Sequence, residues 1–89
     1  MKNYTVTFLG PVQGVGFRYT VRALANRFDV TGYVKNMTDG SVELVVEAKK
    51  SEFESFLQAI NNRLGHYIRD TKIEESDADN LYTNFEIRF

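Results

Sequence analysis

The chain contains no cysteine, one proline and one histidine among its 89 residues. The missing cysteines exclude disulfides, thiolate nucleophiles and thiolate metal sites together. Their absence also fits a reducing compartment, and we expect a cytoplasmic protein. Long apolar runs are missing as well, and no stretch approaches the length of a membrane span. The opening residues, MKNYTVTFLG, carry one lysine and an alternating pattern rather than the apolar block of a signal peptide. The closing residues form no lipidation motif. Neither sign of charge dominates: the formal net charge is -1, which argues against nonspecific attraction to nucleic acid. We expect no nucleic-acid or membrane partner, and a monomer.

What is present is enough for one small core. Hydrophobic residues make up 43% of the chain, well above disordered compositions. The length suits a single domain, residues 1–89.

Tyr4, Val6 and Phe8 alternate with Thr5 and Thr7, which predicts a strand over about Asn3–Leu9. Phe17, Val21, Leu24, Ala25 and Phe28 then recur at helical spacing, with Arg22 and Arg27 off the apolar stripe. Two β-rich runs, VTGYVKNM and SVELVVEA, flank Thr38-Asp39-Gly40 and predict an antiparallel hairpin. Val42, Leu44 and Val46 share one side of its second strand, and Glu43 and Glu47 the other. Ser51 and Glu54 have the spacing of a capping box. Phe53, Phe56, Leu57, Ile60 and Leu64 follow as a helical stripe, and Gly65 is a natural stop. YIRDTKIEE is a weaker strand signal, SDADN reads as a polar loop, and TNFEIRF alternates as a last strand. Its Phe85, Ile87 and Phe89 share one side, and Phe85 and Phe89 are expected in the core with Phe53 and Phe56. The expected fold class is α+β: a ferredoxin-like βαββαβ sandwich with two helices on one face of an antiparallel sheet.

The segment GPVQGVGFRYT, Gly10–Thr20, joins the first strand to the first helix. Helix N-termini carry unpaired backbone amides and partial positive charge. Glycines let those amides curl inward, so Gly14 and Gly16 fit a nest for an anion, phosphate being the usual guest. Arg18 at its edge could bind two phosphate oxygens at once. Tyr19 stands where a dinucleotide fingerprint has its third glycine, and the absence of Gly-Lys-Ser/Thr excludes a P-loop. The turn alone leaves a second reading open: a connection that needs glycine for its shape, with Arg18 solvated. Asn36 at the end of the second strand is similarly open. Its amide suits holding a water near a bound phosphate, or it initiates the turn.

The two segments together resemble the acylphosphatase family. The first signature reads Gly10-x-Val12-Gln13-Gly14-Val15-x-Phe17-Arg18, and the second Gly32-Tyr33-Val34-Lys35-Asn36-x-x-x-Gly40-x-Val42. The resemblance covers essentially the whole chain. It implies hydrolysis of acyl phosphates to a carboxylate and inorganic phosphate, with no metal and no organic cofactor. It implies that Arg18 binds the phosphoryl group with the loop amides of Val12, Gln13, Gly14, Val15, Gly16, Phe17 and Arg18, and that Asn36 orients the attacking water. Direct attack by water needs positioning and charge stabilisation more than a strong base. That agrees with the lack of cysteine and with His66 lying beyond the second helix as a surface residue.

Three positions depart from the family pattern. Pro11 replaces a frequent basic residue and removes one loop N–H. Ala48 stands where glycine is common, and Gly65-His66 where Gly-Pro is common. Pro11 keeps an alternative open: a noncatalytic module that binds acyl or carbamoyl phosphate, or a regulatory domain of the same fold. The acidic residues form no tight ligand cluster in the sequence and are read as solvated faces and loops.

Overall fold

A computed structural model describes all residues, Met1–Phe89. The chain runs β1 (Lys2–Leu9), α1 (Phe17–Ala25), β2 (Thr31–Asn36), β3 (Val42–Ala48), α2 (Lys50–Leu64), a 3-10 turn (Gly65–Tyr67), β4 (Asp70–Asp77) and β5 (Phe85–Arg88). The strands form one sheet in the order β4-β1-β3-β2-β5. Its first four strands pair antiparallel, with β1 and β3 at the centre. These and the two helices make the expected βαββαβ sandwich. The expectation of a purely antiparallel sheet fails at β5, which pairs parallel to β2. The reason is topological: β4 takes the free edge of β1, and the chain must cross the sheet to reach the open edge of β2.

Alternation sets the core. Tyr4, Val6 and Phe8 of β1 and Val42, Leu44, Val46 and Ala48 of β3 all turn under the helices. Onto them come Phe17, Val21, Leu24 and Ala25 of α1 and Phe53, Phe56, Ile60 and Leu64 of α2. Burying a large apolar side chain is worth about 1.5–3 kcal/mol, so this stripe-on-sheet contact is the main stabilising layer. Tyr4 stacks on Phe53 with ring centroids 3.8 Å apart and planes 2° from parallel.

Three local expectations are corrected. The Ser51–Glu54 capping box does not form: the helix starts at Lys50, Lys49 is its cap residue, and no side chain caps it. Ser51 is therefore already inside the first turn. Glu52 uses that turn instead to accept the Asp29 amide at 2.8 Å, tying α1's exit to α2. The expected antiparallel β2–β3 hairpin forms, with Thr38-Asp39-Gly40 inside a connection spanning Met37–Ser41. It closes through Met37 N–H to the Ser41 carbonyl (2.9 Å) and Gly40 N–H to the Met37 carbonyl (3.2 Å). Asp39 Oδ1 accepts from both the amide and the hydroxyl of Ser41, and only Gly40 takes a left-handed backbone. Strand β4 extends through Ser76 and Asp77, residues expected in a loop, because their backbones still pair with Asn3 and Lys2.

Glu47 is the third. It lies on the sheet face away from the helices, as expected, but is 1% exposed rather than solvated. Its two carboxylate oxygens accept the amides of Asp79 and Leu81, each at 3.0 Å. It thereby pins the β4–β5 connection over that face.

Candidate active site

β1 and the α1 N-terminus are joined by a loop in which Gly14 (φ +79°) and Gly16 (φ +74°) adopt left-handed backbone. An added Cβ at either would meet nothing within 4 Å. Their requirement is conformational, and the space in front of them is open. The backbone N–H groups of Gln13 through Tyr19 donate to no protein acceptor, whereas the Val12 amide bonds to the Gly10 carbonyl at 2.8 Å. The run of available amides thus begins one residue later than expected. Val12 contributes a fully buried side chain instead.

A concavity of about 190 Å³ opens over this loop. Val12, Gly14, Gly16, Phe17, Arg18, Tyr19 and Asn36 line it. The structure therefore brings Arg18 and Asn36, eighteen positions apart, to one site. The Asn36 Oδ1 is buried there without a hydrogen-bond partner. An unsatisfied buried acceptor costs about 1–3 kcal/mol, and this one belongs to a residue that lines the concavity.

Arg18 is held by the C-terminal end of the chain. Its Nη1 donates to the Arg88 carbonyl at 3.1 Å, and its guanidinium carbon lies 4.7 Å from the Phe89 ring centroid. Its other guanidinium hydrogens have no protein partner. Phe89 is 83% exposed, which corrects its expected core position. It follows the last residue of a four-residue edge strand, overhangs the sheet, and packs on Arg18 rather than on Phe85.

Two loop residues lie outside the lining. Val15 is exposed. Gln13 turns the other way, and its Nε2 donates to the carbonyls of Met37 (2.8 Å) and Ser41 (2.9 Å). It bolts the loop to the hairpin that carries Asn36. This role was not legible in the sequence, because its partners are backbone atoms. Tyr19, noted in the sequence only as a missing glycine, was also overlooked as a wall of the site. Its signal was an aromatic on the polar side of an amphipathic helix. His66 sits exposed in the 3-10 turn, outside the concavity.

The acylphosphatase family model matches residues 4–87. The chain belongs to the acylphosphatase family. A curated acylphosphatase of Methanospirillum hungatei is 39% identical over 90 residues, covering 99% of this chain and 98% of that protein. The acylphosphatase of Ligilactobacillus salivarius is 33% identical over the full length of both. The crystal structure of acylphosphatase from Bacillus subtilis superposes with a TM-score of 0.89 at 33% identity, again over all of both chains. The Ligilactobacillus and Bacillus proteins match the present chain over all of its length, so β5 falls within the compared region.

Proposed function

We propose that the chain hydrolyses acyl phosphates to a carboxylate and inorganic phosphate at the Arg18–Asn36 concavity. The observation that carries this reading is the convergence of a run of unpaired loop amides, a guanidinium with free hydrogens and a buried unpaired amide carbonyl. The phosphoryl group would rest in the amides of Gln13 to Tyr19, at the positive end of α1. Arg18 would supply the full positive charge, and its contacts with Arg88 and Phe89 limit the freedom it must lose on binding. Asn36 Oδ1 would accept one hydrogen from a water and aim the water oxygen at phosphorus.

The reaction needs no covalent enzyme intermediate. The water oxygen bonds to phosphorus, the bond from phosphorus to the bridging oxygen breaks, and the carboxylate leaves with its electron pair. The water's proton passes to the product phosphate or to solvent. Because the carboxylate is a good leaving group, charge stabilisation and alignment provide the catalysis. Pro11 removes one amide, but at a position before the unpaired run, so it leaves the cradle whole.

Hydrolysis of benzoyl phosphate in ¹⁸O-labelled water tests the site of attack. We expect the label in inorganic phosphate. Label in benzoate would mean attack at the carbonyl carbon and would remove Asn36 from the proposed role. Inorganic phosphate is expected to inhibit competitively, since it fits the same cradle.

A further inference from the structure

Beside the phosphate cradle lies a second and larger concavity, about 340 Å³, that the proposed reaction leaves unused. Tyr19, Thr20, Ala23, Leu24, Arg27 and Arg63 line it. Tyr19 lines both, so the two spaces share that residue.

The groove has an ordered chemistry. Tyr19, Ala23 and Arg27 recur every four residues, a spacing that stacks side chains along one side of a helix. Ala23 is the small member and opens the floor between the other two. Arg27 stays on this side past the helix end, because its amide bonds to the Leu24 carbonyl at 3.0 Å. Arg63 arrives from the last turn of α2. Neither arginine has a carboxylate partner, since the ion pairs are Lys2–Asp77 and Arg88–Glu86. Neither donates a side-chain hydrogen bond, in contrast to Arg22, which is committed to Asn26 at 2.7 Å. No acidic side chain lines the groove. Tyr19, the shared residue, is 62% exposed.

We propose that this groove receives the acyl portion of the substrate and favours acyl phosphates that carry a second anionic group, which Arg27 and Arg63 bind. The inference rests on the cradle holding the phosphoryl group. With phosphorus over Gly14–Arg18, the acyl chain exits past Tyr19, whose ring offers an apolar wall. An anionic group at the far end meets two uncompensated guanidinium groups. An uncharged acyl chain gains only the wall. Tyr19, Arg27 and Arg63 are then specificity residues for the reaction.

The test compares benzoyl phosphate with 4-carboxybenzoyl phosphate, a rigid pair differing by one carboxylate at the far end. The carboxylated substrate is expected to show the higher kcat/KM. The preference should be several-fold, since an exposed ion pair changes affinity up to about fivefold. In Arg27→Gln/Arg63→Gln the ratio of the two kcat/KM values should fall to one or below. Raising ionic strength should lower the wild-type ratio. A wild-type ratio of one or less overturns the inference, as does a preference that survives the double substitution. Both results leave hydrolysis at the cradle standing. Failure to hydrolyse either substrate is a different outcome: it sinks the hydrolytic reading, and this inference falls with it.

Discussion

Gln13 and Met37 are joined by a 2.8 Å hydrogen bond from a side-chain amide to a backbone carbonyl, and the same Nε2 reaches Ser41 at 2.9 Å. One side chain thus locks the loop that presents the amides to the hairpin that presents Asn36. Gln13→Ala should cost about 1–2 kcal/mol in stability for the two lost bonds. It should also lower kcat at least about tenfold, because small misplacements of catalytic groups are expensive. Kinetics beside circular dichroism of the folded variant would check this. An unchanged kcat would show that the two segments hold their positions without the bolt.

The glycines separate by mechanism. At Gly16 an added Cβ meets nothing, so Gly16→Ala carries only the left-handed backbone penalty, about 1–2 kcal/mol. The variant should fold and bind phosphate more weakly. At Gly32 (φ +139°) a Cβ would fall 1.8 Å from the Val45 carbonyl oxygen. Gly32→Ala therefore has to displace backbone between β2 and β3, and a cost above about 4 kcal/mol is expected. Urea unfolding of both variants should rank them in that order. Equal costs would contradict the steric account.

Glu47 is a buried carboxylate satisfied by two backbone amides. In Glu47→Gln one of the two acceptors becomes a donor facing an N–H group. A loss of about 1–3 kcal/mol is expected, with faster amide hydrogen exchange at Asp79 and Leu81. Wild-type exchange at both amides would show that the connection is held by something else.

Two groups predict how stability varies with pH. Burial first, and then the 2.6 Å hydrogen bond to Glu43, push the Tyr33 hydroxyl up to about 12 from 10.0. Its raised folded-state value favours the protonated, folded form. That contribution is complete below pH 10 and is lost as pH rises toward 12. Tyr33→Phe should therefore flatten the alkaline decline in stability. Asp39 behaves with the opposite sign: hydrogen bonds from the Ser41 hydroxyl and amide lower its carboxyl below 3.8. Its contribution is present above that value and disappears as pH falls through the lowered one. Asp39→Ala should reduce the acid dependence of stability. Unaltered pH profiles in both variants would contradict these assignments.

The sandwich was legible because its signals are local and strong. Tyr4-Val6-Phe8 alternates, and the α1 and α2 stripes repeat at 3.6-residue spacing. What escaped depends on partners distant in sequence. β4 is almost wholly exposed, so it has no apolar alternation and its extent comes from pairing with β1. The parallel pairing of β5 with β2 depends on which sheet edge is left open. Phe89 has the right parity for the core but lies past the end of the strand. In the candidate site, the paired motifs singled out Arg18 and Asn36, and both line one concavity. Gln13's clamp, the spent Val12 amide and the Tyr19 wall required the fold.

The central claim is that Arg18 and Asn36 act on one acyl phosphate in the loop cradle. The most direct measurement is the rate of benzoyl phosphate hydrolysis by the wild-type chain, Arg18→Ala and Asn36→Ala, each shown to be folded. Loss of one charge-stabilising donor costs about 10²–10³ in rate. Arg18→Ala is expected to lose at least that much, together with affinity for inorganic phosphate. Asn36→Ala is expected to lose a similar factor in kcat while still binding phosphate. Wild-type turnover that survives either substitution would contradict the account.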